Sequence, residues 1–146
     1  AKVPVIINAL DNLPQSFDAL GARLDNAALL HEAGVTVLFT SGETHNARKL
    51  RQVVGNAVAH GLPHKTALAA MTSLPASLFG GIERSLQSGS RADLVIWSGD
   101  PLDVTSAADS VIIGGALDTM QSRQTKLLQR YLPEEPNKGR AYINPC

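Results

Sequence analysis

The sequence predicts an α/β fold in which two strand-then-helix units precede a small antiparallel layer of short strands. Three observations carry that reading. Residues 3–8 and 35–40 are short apolar runs rich in β-branched side chains, the mark of strands covered on both faces. Each run is followed by apolar residues at helical spacing that end at a glycine, Gly34 and then Gly61. From about residue 82 the helical period stops, and short apolar runs alternate with Gly, Pro and Asp, as strands joined by turns do.

Taken in order, Val3-Pro4-Val5-Ile6-Ile7-Asn8 is the first strand. Pro14 and Ser16 then mark a helix start, with Asp18 in the first turn, where a carboxylate complements the positive end of the helix dipole. Phe17, Leu20, Leu24, Ala27 and Ala28 make the apolar stripe of that helix. Val35-Thr36-Val37-Leu38-Phe39-Thr40 is the second strand, and Ala47, Leu50, Val54, Ala57 and Val58 share one face of the helix after it. Pro63 suits the first turn of a third helix over residues 64–72, while Ser73 and Pro75 open a short fourth one that ends near Gly80. Strand-helix-strand order argues for parallel pairing through a right-handed crossover in this half.

Strands are then expected near Ser85-Leu86, at 94–97 and at 111–113. The run Leu94-Val95-Ile96-Trp97 is continuously apolar, so both of its faces are expected to be covered. Asp93 stands just before it, placed to accept bonds from turn N–H groups. Gly114-Gly115 has the positive-φ freedom that a tight hairpin needs. A last helix over residues 119–132 would turn Met120, Leu127, Leu128 and Tyr131 inward, and residues 133–139 read as a polar loop or tail.

Composition narrows the function classes. The 146 residues are 44% hydrophobic and 18% charged, with thirteen basic and thirteen acidic side chains and no net charge, as expected of a soluble globular piece. The basic residues are scattered, with no Lys/Arg run to neutralise phosphates and no interleaved aromatics for base stacking, which argues against nucleic acid. No run approaches the roughly eighteen apolar residues of a membrane span. Cytoplasm and periplasm both remain open. Cys146 is the single cysteine, so neither an internal disulfide nor a cysteine-based zinc cage forms from this chain.

Several motifs stand in linked order: Leu10-Asp11-Asn12-Leu13-Pro14, Asn26-Ala27, His45-Asn46-Ala47-Arg48, Thr72-Ser73-Leu74-Pro75-Ala76-Ser77-Leu78-Phe79-Gly80, Ser85-Leu86-Gln87-Ser88-Gly89, Gly89 to Leu102 with Gly99-Asp100-Pro101, Val111-Ile112-Ile113-Gly114-Gly115, and Ser122-Arg123-Gln124-Thr125-Lys126-Leu127. Together they resemble the metal-dependent amidohydrolases, and within them the imidazolonepropionase-like and prolidase-like group. The resemblance implies a TIM-like (β/α)8 barrel with a small flanking β-domain, hydrolysing C–N bonds in amides, cyclic amides or dipeptides. A complete barrel needs about 200 residues or more. The chain is therefore expected to be an incomplete barrel: residues 1–81 its last two β/α units, 82–118 the flanking antiparallel strands, 119–146 a helix and tail. Leu74, where the group often has Asn, and Arg84, where it often has Gly, depart from the pattern.

Active sites of such barrels lie at the C-terminal ends of the strands, which directs attention to residues 8–14 and 40–48. The resemblance implies an Asp at the end of the last strand, able to bind metal and carry a proton. Ser41 stands there instead. Glu43, two residues on, is the candidate replacement, or else an ordinary solvated loop carboxylate. His45 is a candidate proton donor or substrate contact, with a locally bonded turn residue as the alternative. Asn46 and Arg48 are candidate substrate-binding residues; a guanidinium can clamp a carboxylate bidentately or merely pair with a surface acid. His31 lies at a helix end, His60 just before Gly61 and His64 just after Pro63, where helix-terminus roles explain all three. The resemblance places the histidine ligands and bridging lysine on earlier strands, so a divalent metal, zinc by expectation, belongs to the full-length parent and no metal site to this chain alone.

Two functions from different classes follow. One is a fragment of a metal-dependent hydrolase with a small amide or peptide substrate, inactive in isolation; the other is a non-catalytic binding or assembly module that has lost its last-strand Asp. A homo-oligomer, or association with the missing part of the barrel, would cover the open parallel edge.

Overall fold

The computed structural model describes residues 3–81 and 85–132. Two small sheets are joined by helices. The first sheet pairs β1 (Val5–Ile7) with β2 (Val37–Phe39), parallel, in the register Val5 to Val37 and Ile7 to Phe39. Between them lies α1 (Asn26–Glu32), and after β2 come α2 (Leu50–Ala59), α3 (His64–Met71) and α4 (Ser73–Leu78). The second sheet is antiparallel, with β3 (Leu94–Trp97) beside β4 (Ala108–Ile113) and β5 (Ala116–Leu117) beyond it. A last helix, α5 (Arg123–Tyr131), follows. The α/β class and the parallel pairing of the first two strands stand as the sequence predicts.

Two glycines stop helices in the same way. Gly34 at φ +76° lets Val35 N–H reach back to Leu30 C=O at 2.9 Å, and Gly61 at φ +104° lets Leu62 N–H reach Ala57 C=O at 3.0 Å. Only glycine takes this left-handed turn cheaply. It also drops an apolar residue back onto the core. Leu62 there joins Ala9, Ala27, Val53, Val54, Ala57, Ala67 and Leu102 in one buried cluster. So many alanines let the helix backbones approach closely.

Several elements depart from the sequence reading. The first predicted helix is broken: residues 17–19 form one 3-10 turn, and the α-helix begins only at Asn26. Gly21 lies in the gap, where glycine is costly to hold helical, and Arg23 bonds the Asp25 carboxylate at 2.8 and 2.5 Å in a local turn. Phe17 is 92% exposed as a result. Ala47 is exposed, and Val53 takes a buried place on α2 that the predicted stripe left out. Ser85-Leu86 is not a strand. The run 94–97 is a strand, yet Val95 and Ile96 are exposed, because β3 is the edge of its sheet. Continuous apolarity records a cover that these residues do not supply. The final helix starts at Arg123, capped by the Ser122 hydroxyl accepting from Thr125 N–H at 3.1 Å, and Met120, Leu127, Leu128 and Tyr131 are exposed. The expectations for Arg84 and for the tail 133–139 lie outside the described residues.

The β4–β5 connection is Gly114-Gly115 with φ +59° and +85°, the two positive dihedrals of a type I′ turn. Asp93 accepts the Gly114 N–H at 2.6 Å and pairs with Arg91 at 2.9 Å, so the carboxylate before β3 fixes the far hairpin of the same sheet.

The two sheets are held together by residues 99–106. Leu102 is buried against α2, where Gly55 lies so close to the Leu102 carbonyl that a Cβ would overlap it. Arg51, one turn earlier, donates from Nη1 to the carbonyls of Pro101 (3.3 Å) and Asp103 (3.1 Å), and its guanidinium sits 5.0 Å from the Trp97 ring centre. Ser106 donates its hydroxyl to the Asp100 and Asp103 carbonyls. Asp100 accepts Leu102 N–H at 2.9 Å and meets His64 Nε2, at the start of α3, at 2.8 Å.

The Asp100 carboxyl is held below the ordinary carboxylate range, first by its bond with His64 and then by Leu102 N–H; Thr105, through its N–H and hydroxyl, does the same for Asp103. Such groups stabilise the fold above their unfolded pKa and lose that effect as pH falls through the folded one. Acid below about pH 4 is thus expected to loosen the clasp, and Asp100→Asn to flatten the fall in melting temperature between pH 5 and pH 3. An unchanged slope in Asp100→Asn contradicts the assignment. Gly55→Ala is expected to cost about 1–3 kcal/mol through overpacking against backbone and to speed amide exchange in β3 and β4. Gly21→Ala, which points into open space, is the control and leaves that exchange unchanged.

Candidate functional site at the ends of the parallel strands

Parallel α/β sheets place their ligands beyond the carboxyl ends of their strands. Here both strand ends carry polar loops. β1 ends at Asn8, whose side chain bonds twice: Oδ1 accepts Leu10 N–H at 3.3 Å, capping a 3-10 turn over Ala9–Asp11, and Nδ2 donates to Asp11 Oδ2 at 2.7 Å. β2 ends at Thr40, whose Oγ1 accepts Gly42 N–H at 3.1 Å, and Gly42 sits at φ +81°. The two ends lie close together, since a Cβ placed on Gly42 would be 3.8 Å from Asn8 Nδ2.

The residues singled out from the sequence fall on the β2 side. Ser41 donates its hydroxyl to the Glu43 carbonyl at 3.2 Å. The Glu43 carboxylate meets His45 Nε2 at 3.0 Å, with both side chains more than half exposed. Asn46 donates its N–H to the Glu43 carbonyl at 3.0 Å and is half-buried, while Arg48 is exposed in the same 3-10 segment, Thr44–Lys49. Ser41, Glu43 and His45 thus share one solvent-facing loop. Asn46 and Arg48 follow on the segment that feeds α2.

The other histidines lie at helix ends, each with a near partner. His31 Nε2 is 3.5 Å from Thr66 Oγ1, His60 Nδ1 is 2.8 Å from the Asn56 carbonyl, and His64 meets Asp100. Among the described residues no group of three or more His, Cys, Asp or Glu is placed to hold a metal ion. No helix among them is long and apolar enough to cross a membrane.

Sequence reasoning pointed to residues 8–14 but assigned no role within them. The structure adds the Asn8–Asp11 bond and the Asn12 side chain, whose Nδ2 is buried with no hydrogen-bond partner. An Asn three residues before an Asp at a strand end is the signal available in the sequence. A separate cavity of about 510 Å³ lies between α3 and the β3–β4 sheet, lined by Leu68, Met71, Trp97 and Leu102 among others, and it shares no residue with the strand ends. Its wall is mainly apolar, and its polar members Arg51, Thr72 and Asp93 include no nucleophile paired with a base.

An α/β chain with polar loops meeting at parallel strand ends has the layout of a ligand-binding segment. No family model matches the sequence. A curated amidohydrolase, tasK of Hapsidospora irregularis, is 30% identical over 117 residues, which cover 78% of this chain and 12% of that protein. A crystal structure of an amidohydrolase from Thermotoga maritima superimposes with a TM-score of 0.67 at 26% identity, over 80% of this chain and 31% of that one. The chain belongs with the amidohydrolases, and it spans only a part of the length of either relative.

Gly42 tests the local geometry. Replacing it with Ala puts a side chain in the left-handed region at a cost of about 1–2 kcal/mol, whereas Ser41→Ala, which loses one exposed bond, is expected to stay within about 0.5 kcal/mol of the parent. Urea denaturation of both variants checks the contrast.

Proposed function

We propose that this chain is one part of a metal-dependent amidohydrolase that cleaves C–N bonds in amides, cyclic amides or dipeptides. In this reading it supplies the last two strand-helix units of a (β/α)8 barrel and most of a flanking β-layer. The observation that carries the reading is the parallel β1–β2 pair with its polar loops gathered at the carboxyl ends, in a chain related to amidohydrolases. Two parallel strands leave two edges open, and a closed barrel needs about 200 residues or more. The remaining strands therefore come from sequence beyond this segment.

The described residues do not fit a metal ion by themselves. The ligands of a divalent metal, zinc in this reading, belong to the other strands. A small amide or peptide is the substrate; the remainder of the barrel, or a second copy of this chain, covers the open edge.

One observation favours a second reading. Ser41, at the position where the resemblance calls for a carboxylate, hydrogen-bonds only within its own loop, as in a binding or assembly module without catalysis. The test is elemental analysis of the longer protein together with a screen of dipeptides and cyclic amides. Tight zinc with turnover is expected. A metal-free, inactive protein supports the module instead, and turnover by the isolated 146-residue chain overturns the fragment reading.

A further inference from the structure

We infer that Asp11, oriented by Asn8, is a proton-transfer carboxylate of the strand-end site, doing what Ser41 cannot. The inference rests on the hydrolase reading above.

Hydrolysis of an amide needs a group that takes a proton from the attacking water and returns it to the leaving nitrogen. A hydroxyl at Ser41 is a poor acceptor at neutral pH, and its proton is already committed to the Glu43 carbonyl. Glu43 has a carboxylate, but it is engaged by His45 at 3.0 Å on a loop with both side chains largely in solvent. Asp11 differs in two respects. It is held: Asn8 Nδ2 bonds one carboxylate oxygen at 2.7 Å, while Asn8 Oδ1 is pinned by Leu10 N–H, so the amide has little freedom to release it. Exposed like Glu43, it nevertheless makes no ion pair among the described residues.

The same Asn8 amide lies beside Gly42 in the loop after β2, so Asp11 and the loop of Ser41 both stand next to one side chain. A carboxylate lost from the end of β2 is thereby offered from the end of β1. In the step assigned to it, the water oxygen bonds to the amide carbon as its proton passes to Asp11. The resulting carboxylic acid gives the proton to nitrogen as the C–N bond breaks, leaving an acid, an amine and Asp11 ionised as before. Asn8 is a positioning residue.

The experiment uses the longer protein that carries this segment and follows kcat and KM against pH. Asp11→Asn is expected to lower kcat by about 100-fold or more with KM little changed, and to abolish the acid limb of the profile. Asp11→Glu recovers part of the rate. Asn8→Ala lowers kcat and shifts the limb without removing it, and serves as the folded alternative if Asp11→Asn does not fold. Glu43→Gln is expected to keep the limb. Retention of kcat in a folded Asp11→Asn, or loss of the limb in Glu43→Gln instead, overturns the inference while leaving the hydrolase reading intact. A protein that cleaves no C–N substrate overturns both.

Discussion

The contact between the Gly55 backbone and the Leu102 carbonyl is the constraint on which the rest of the architecture depends. It is where the backbone of the 99–106 loop comes down against the backbone of α2, and it exists because position 55 has no side chain. Once Leu102 is seated, several polar groups brought down with it have partners at hand. Arg51 takes the Pro101 and Asp103 carbonyls, Ser106 takes those of Asp100 and Asp103, and the Asp100 carboxylate takes Leu102 N–H and His64. A loop docked on a helix without such partners would strand several buried carbonyls. Burial of Leu102 and satisfaction of the backbone are therefore one event.

That event also sets the relation between the two halves. The loop begins at the end of β3 and returns to β4, so clamping it on α2 fixes the antiparallel sheet beside the helices that follow β2. The strand-end loops lie elsewhere. They are organised by a different and smaller set of contacts, centred on Asn8, in which nearly every bond spans two or three residues. Local bonds of this kind shape a loop without burying it. The core supplies rigidity, and the strand ends keep their polar groups facing water, the usual division between scaffold and site.

Some of this was legible in the residues alone. The helix stops at Gly34 and Gly61, the fourth-helix start at Ser73, the strand at 94–97 and the Gly114-Gly115 hairpin are all specified by backbone chemistry within a few residues. The first helix was misread because the stripe from Phe17 to Ala28 keeps its period across Gly21, where the chain in fact turns. The strand near Ser85-Leu86 failed for the opposite reason: two apolar or small residues carry no period to test. At the site, the loop of Ser41, Glu43 and His45 could be located from the end of its strand. That Asn8 bonds Asp11 could not be foreseen from periodicity, because a three-residue spacing is common in loops and only the 3-10 turn brings the two side chains together.

By itself the sequence determined what depends on neighbours along the chain: most of the strands and helices, where glycine ends two of them, that the first half pairs in parallel, and that the chain is related to amidohydrolases. Tertiary structure alone decided which faces are covered and which polar groups meet. Leu94 to Trp97 reads as a strand buried on both sides, yet as the sheet edge it leaves Val95 and Ile96 in solvent. Gly55 lies inside a helix, where glycine is costly, yet it is where the loop that leads to the second sheet is seated. The reason is the same in both cases: local conformation follows from bonds a few residues apart, whereas burial is settled by elements some fifty residues away.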